Sequence, residues 1–579
     1  MDKPASSTTP SDSVITIPDI PEKTTLDSPT PPQQPLSPGS KIEIDAPNQM
    51  GGDNGVVTPP FKELILVLIG LMLGLLMSSL DQTIVAVCTT KIANEFDSLS
   101  EIPWVGTTYL LTSTTVQPLY GRFSDIFGRK TTYLFAIVVF LIGSALCGAS
   151  QNMTMLIVSR GIAGIGAGGI MSTAMIIVAG LVSLRDRGKY QGLFGGVFAV
   201  SSVIGPLLGG VFTDHATWRW AFFINIPIGV VTVIVIVKLL HLPHAKGSFK
   251  EKVKRIDGLG AITLIIGLTL VLLALNWGGS THPWNSSLII GLFCGGFAIL
   301  FVFCMIEWKQ ALEPIIPFRL FKSRTNVAVF GASFFLGTGF FGIMFFMPLY
   351  FQIVRQESAT TAGLEMLPLV AGLVISSISS GNMISKWGHY RPFIWAGFII
   401  ATTGVGLITL LQVDSNRGSQ IGFMLVIGLG LGLCLQTVLV AIQSAVHMKD
   451  IAVATANTTF FRTVGSVMGV AIVGTVFNNE VHKNLEPIIA IHPEVVAVIQ
   501  NSYLAPSFGP VVERQILEAY MEALRSAFRV SIPLMGAGFL CSLFIEHHKL
   551  RRPGRPPGGP GGPGGSGGAA TSGSPPSST

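Results

Sequence analysis

Gly121-Arg-Phe-Ser-Asp125-Ile-Phe-Gly128-Arg129-Lys130 is a polar turn set between two apolar runs, residues 104–122 and 131–150. Each run approaches the roughly 20 residues that a helix needs to cross a bilayer. In lipid the backbone must satisfy its own polar groups, so run, turn and run read as two membrane helices. Gly121 lets a second helix approach closely, and Gly128 permits the tight turn. Asp125 and Arg129 can pair with one another or with a neighbouring helix terminus, with Lys130 beside them. A breakable charge contact of this kind suits a conformational latch.

The same reading extends outward along the chain. Of 579 residues, 49% are hydrophobic and 12% are charged, with mean hydropathy +0.59. A soluble protein carries about 25% charged residues, so lipid is the expected solvent. Fourteen apolar segments follow one another, from 64–87 through 155–182, 190–212 and 452–477 to 526–547. If the N-terminus lies in the cytosol, the inner connectors hold 19 Lys and Arg and the short outer ones hold 4. This positive-inside bias predicts fourteen crossings with both termini cytosolic. It also assigns the net charge of +6 to membrane orientation, not to nucleic acid.

The expected organisation is a disordered N-tail over 1–60, a six-helix bundle over 61–240 and a linker with two extra helices over 241–310. A second bundle follows over 311–550, interrupted by an outer loop at 478–525, and a disordered Gly/Pro-rich tail ends the chain at 551–579. The N-tail holds 12 prolines, and such composition cannot bury a core. The six cysteines read as buried thiols, and with no CxxC or His partner neither a metal nor a cofactor is expected. Asn152 and Asn285 head Asn-x-Ser/Thr sequons in outer loops and are candidate glycosylation sites.

Charged and small residues inside the apolar segments are the candidate machinery. Asp81 stands in Leu80-Asp-Gln-Thr-Ile-Val85, and burial in low dielectric favours the neutral form of an acid, as a reversible proton carrier requires. Arg160 precedes Gly161, Gly164, Gly166, Gly168 and Gly169. No strand precedes these glycines, so they are not a dinucleotide loop, and a buried arginine calls for a function. Glu365 either titrates or sits at the headgroup level, and Arg462 is expected to face the interior and pair with an acid or a carbonyl. Gly205-Pro206 and Gly209-Gly210 give one helix a packed, bent profile. Gln352, Gln436, Gln443, Asn457 and Phe461 could line a polar-aromatic substrate cavity.

The 121–130 turn closely resembles the signature loop of the major facilitator superfamily, and Gly381–Arg391 is a second copy without the acid. The Asp81 segment is similar to the helix-1 signature of fourteen-helix drug:proton antiporters. Residues 205–210 resemble the antiporter motif of drug exporters, and Arg160 matches the helix-4 arginine that the family associates with proton coupling. The resemblance covers about 61–550. It implies an all-α membrane fold of two six-helix bundles plus two central helices, and a monomeric secondary carrier, not an enzyme. Its function would be proton-coupled export of toxic or secondary-metabolite small molecules, with Asp81, Arg160, Glu365 and Arg462 in coupling. The plasma membrane is the expected location, with the vacuolar membrane as the alternative. A proton-coupled importer of siderophores or basic amino acids shares the fold, and a non-transporting receptor is the reading from another class. No nucleotide-binding P-loop occurs, so the energy is expected to come from an ion gradient or from the substrate's own. One proton crossing about 100 mV yields ~2.3 kcal/mol.

Overall fold

A computed structural model describes residues 60–98, 101–242, 248–279, 281–309, 313–496, 498 and 507–548. The expected disordered tails lie outside the described residues. Fourteen long helices cross in succession. The first six are α1 (Phe61–Phe96), α2 (Ile102–Phe127), α3 (Arg129–Gly148), α4 (Met153–Leu181), α5 (Arg187–His215) and α6 (Asn225–Leu239). The extra pair is α7 (Gly258–Trp277) and α8 (Ser287–Lys309). The last six are α9 (Arg324–Leu349), α10 (Leu367–Trp387), α11 (Arg391–Ile408), α12 (Arg417–Ala445), α13 (Ile451–Ile491) and α14 (Pro510–Leu543). Thirteen crossings meet the length and hydropathy of a membrane span. The fourteenth is α2, whose five threonines lower its hydropathy but whose 26 residues still suffice. An even number of crossings returns the chain to the face from which it started.

Buried apolar residues form two main cores. One is built mostly from α1–α6 and the other from α9–α14. Within the first, small residues set the spacing. A side chain at Gly164 or Gly168 would collide with the α2 backbone at Tyr109 or Ser113, and one at Gly166 with α3 at Phe140. The glycine run of α4 therefore locks two neighbours at once.

The extra pair lies against the seam between the halves. Leu111 of α2 and Val271, Leu272 and Leu275 of α7 share one cluster, with Val467 and Ala471 of α13 packed on it. Trp284, in the α7–α8 turn, donates to Thr475 Oγ1 of α13 at 3.1 Å. α8 is peripheral, turning Phe297, Phe301 and Trp308 outward. Its lipid-facing position corrects one expectation: Cys294 and Cys304 are exposed, whereas Cys88, Cys147 and Cys434 are buried.

The outer loop is also shorter than expected. α13 runs on for 41 residues to Ile491, and α14 starts at Pro510. At 1.5 Å per residue α13 is about 60 Å long, twice the roughly 30 Å hydrocarbon thickness, so it projects beyond the bilayer. Hydropathy missed the extension because only one stripe is apolar. Val481 and Leu485 pack in one core with Ile516, Leu517 and Tyr520 of α14, and Asn484 Nδ2 donates to Ala519 O at 3.3 Å.

Gly166→Val and Gly168→Val are each expected to destabilise the fold by about 1–3 kcal/mol through overpacking, read as a lower melting temperature of the purified protein in detergent. Gly210→Val, where no atom approaches within 4 Å of an added Cβ, should change it little.

Candidate functional site

The α1–α6 half encloses a charged network at its centre. Asp81 of α1 is fully buried, and Arg160 of α4 is 2% exposed. Arg160 Nη1 donates to Asp81 Oδ2 at 2.5 Å, and its Nε donates to Val105 O of α2 at 3.0 Å. The guanidinium also lies 4.1 Å from the centre of the Tyr109 ring, a cation–π contact. Asn225, at the start of α6, donates to the other oxygen, Asp81 Oδ1, at 3.2 Å and to Ser144 Oγ of α3 at 3.0 Å. Ser144 in turn donates to Phe222 O at 2.9 Å. Five helices thus contribute to one ion pair.

Two further motifs meet beside it. Thr83, two residues after Asp81, donates to Ser201 O of α5 at 3.0 Å. A side chain at Gly205 would come within 2.0 Å of the Thr83 hydroxyl, so that glycine is the space Thr83 occupies. Gly209 is buried on the same helix, and Gly210 faces open space. α5 continues unbroken through Pro206, whose side chain lies outside the described residues.

At the end of the bundle carrying the 121–130 turn, the two halves touch. Gly128 has φ +93°, which explains the need for glycine between α2 and α3. Gly121 faces Ala452 and Ala456 of α13. Asp125 Oδ2 lies 3.9 Å from Arg122 Nη1, and Arg122 Nε donates to Pro314 O at 2.6 Å. Arg129 reaches instead to Gly180 at the carboxyl end of α4, where the helix dipole favours a cation. Lys130 Nζ donates to Val237 O at the end of α6, 2.9 Å away.

The second copy keeps the geometry and moves the acid. Gly381 packs on the backbone of Gly188 in α5, and Gly388 has φ +74°. In this register Ser385 stands where the first copy has Asp125. Ser385 Oγ donates to Asp186 Oδ1 of the opposite half at 2.5 Å, and Arg185 donates to the carbonyls of Ser385 and Lys386. Sequence reasoning singled out neither Arg185 nor Asp186 as a latch residue, because the charge sits on the other half from its motif.

A profile of the Major Facilitator Superfamily matches residues 71–470. The chain belongs to that superfamily. It is 34% identical over 491 residues to an MFS-type efflux pump of Arthroderma benhamiae, covering 84% of this chain and 91% of that one. It is also 34% identical over 503 residues to an aspyridones efflux protein of Neocamarosporium betae, covering 85% of this chain and 89% of that one. Among solved structures, the proton:xylose symporter XylE superposes with TM-score 0.53 at 13% identity, covering 84% of this chain and 98% of that one, a likeness of fold.

The remaining site residues of this facilitator are dispersed. Glu365 is at the opposite end from the 121–130 turn, where a short helix (Ala359–Glu365) meets α10, and its buried carboxylate pairs with the exposed Arg417. Gln352 lies in the π-helical turn that follows α9, at that same end. Gln436, Gln443 and Asn457 are buried in the α9–α14 half. Gln443 Nε2 donates to Thr455 Oγ1 at 3.2 Å and Asn457 Nδ2 to Val453 O at 2.9 Å. Phe461 stacks on Phe330 with ring centres 5.1 Å apart. Arg462 corrects an expectation: among the described residues neither an acid nor a carbonyl accepts from its guanidinium. Its turn of α13 packs on α9 through backbone, with Arg462 O against Gly337. Asn152 and Asn285 are both exposed, and Asn152 caps α4 by accepting from Met155 N at 2.8 Å.

Asn225 stands in the 218–229 segment that resembles the subgroup's entry to helix 6, but sequence reasoning assigned it no role. An amide inside the apolar stretch 220–239 was its available signal. Removing one member of a buried ion pair strands the other charge and costs about 3–5 kcal/mol. Asp81→Asn and Arg160→Gln are each expected to lower the melting temperature strongly. The double change should cost less than the two single losses added together, measured as a thermal double-mutant cycle in detergent.

Proposed function

We propose that this facilitator is a proton-coupled antiporter that exports amphipathic toxic or secondary-metabolite molecules. The observation that carries the reading is the isolated Asp81–Arg160 pair, buried among five helices of one half. A charge inside a membrane protein is expensive and persists where it works. A proton arriving on Asp81 cancels its charge and frees Arg160 from its salt bridge, which removes a contact joining α1 to α4. The Asn225 amide keeps one carboxyl oxygen fixed, so proton uptake changes the Arg160 side of the site first. Direction is supported by two efflux proteins among the relatives, at 34% identity over most of the chain.

The cycle alternates proton and cargo between two half-molecules that rock about the seam. Contacts at the Gly121 and Gly381 turns, with Asp125, Arg122, Asp186 and Ser385, hold the two halves together at one face and break when that face opens. We place that face in the cytosol on the positive-inside bias, with both termini there. Asn152 and Asn285 then lie outside, available for glycosylation, and the plasma membrane is the proposed location. The carrier acts as a monomer.

Cells expressing the full chain are expected to resist members of a panel of amphipathic fungal metabolites and to lose those compounds when labelled. Asp81→Asn should abolish the pH-gradient-driven loss in proteoliposomes, by about tenfold or more, while leaving cargo exchange without a gradient measurable. Accumulation of label in the expressing cells would establish an importer. Undiminished gradient-driven export by Asp81→Asn would remove that residue from coupling.

A further inference from the structure

Arg160 and Arg462 are both deep in the bundle, yet their surroundings are opposite. Arg160 has a carboxylate, a backbone carbonyl and an aromatic face. Arg462 is only part-buried, and among the described residues nothing accepts from it. It stands 11 residues from the start of α13, roughly 17 Å along the helix and so near the middle of the hydrocarbon layer. The flanking residues place it at the seam. Thr463 donates across to Gln117 Oε1 of α2 in the other half at 3.2 Å. On the preceding position Phe461 joins Phe330 and Phe321 in an aromatic cluster.

An uncompensated guanidinium at this depth costs several kcal/mol, and a transient counter-ion would offset it. A planar fork of five donors fits a carboxylate or another delocalised oxyanion in bidentate fashion. We propose that Arg462 is the recognition point for an anionic group on the cargo, a carboxylate or acidic enol carried on an apolar or aromatic body that rests on the Phe461 cluster. This deepens the export reading and rests on it for the word cargo, but the site itself is defined by binding. It gives Arg462 a role separate from the proton site: the cation of the α1–α6 half is already neutralised, and that of α13 waits for its partner.

The test uses the purified full chain and matched pairs of aromatic carboxylic acids and their methyl esters as probes. The acids are expected to raise the melting temperature and the esters to do so far less. Arg462→Gln should weaken acid binding by about tenfold or more, since a hydrogen bond to a charged group is lost. Arg462→Lys should retain part of it. Binding is read without a pH gradient, so failure of proton coupling and failure of this proposal are read separately. A second measurement needs no ligand. Without probe, Arg462→Gln should melt at or above the unaltered protein, because it removes an unpaired charge, whereas Arg160→Gln should melt well below it. Equal stabilisation by acids and esters, acid binding that survives Arg462→Gln, or a ligand-free Arg462→Gln as unstable as Arg160→Gln would each overturn the assignment.

Discussion

A carboxylate and a guanidinium held 2.5 Å apart and almost fully buried fix the rest of this molecule. Neither charge is tolerable alone at that depth, so α1 and α4 must meet where Asp81 and Arg160 meet. The glycines that follow Arg160 let α4 sit against α2 and α3 closely enough for Val105, Tyr109 and Ser144 to complete the shell. Thr83 and Gly205 then bring α5 to the other side of α1. Packing by small residues and pairing of charges are thus one design. Close helices bury the pair from solvent, and the lower dielectric strengthens the attraction that organises them.

The contacts between the halves obey a different rule. At the Gly121 and Gly381 turns the backbones nearly touch, but apart from the buried Arg122 the polar groups Asp125, Arg185, Asp186 and Ser385 are part-exposed. Such contacts are cheap to break relative to a buried ion pair. A rigid charged core inside one half, with a weak seam between halves, is the mechanical arrangement that rocking of two bodies requires. α7 packs on both α2 and α13, so the extra pair restrains that seam at one edge.

Much of the fold was legible because lipid imposes a simple code of apolar length and positive inner loops. The alternation identified fourteen crossings, including the Thr-rich α2. Boundaries failed at 478–491 and 510–525, where one apolar stripe packs helix on helix outside the bilayer and average hydropathy is low. Asp81 and Arg160 were each visible as charges in apolar runs, but their pairing across 79 residues was not, since nothing local records it. Asn225 was visible only as part of a family-like segment, and with no charge it gave no sign of its bond to Asp81. The second turn hid its acid for a structural reason: Ser385 borrows Asp186 from the opposite half, and a motif read along one strand of sequence cannot show a partner supplied in space.

Coupling at this pair requires that Asp81 exchange a proton while the protein stays folded. Infrared difference spectra of the purified chain, recorded as pH is lowered, report the appearance of a protonated carboxyl group. A carbonyl stretching band that grows on acidification and is missing from Asp81→Asn is the result this account requires. If the band persists unchanged in Asp81→Asn, the proton is carried elsewhere and the central pair is a structural rivet only.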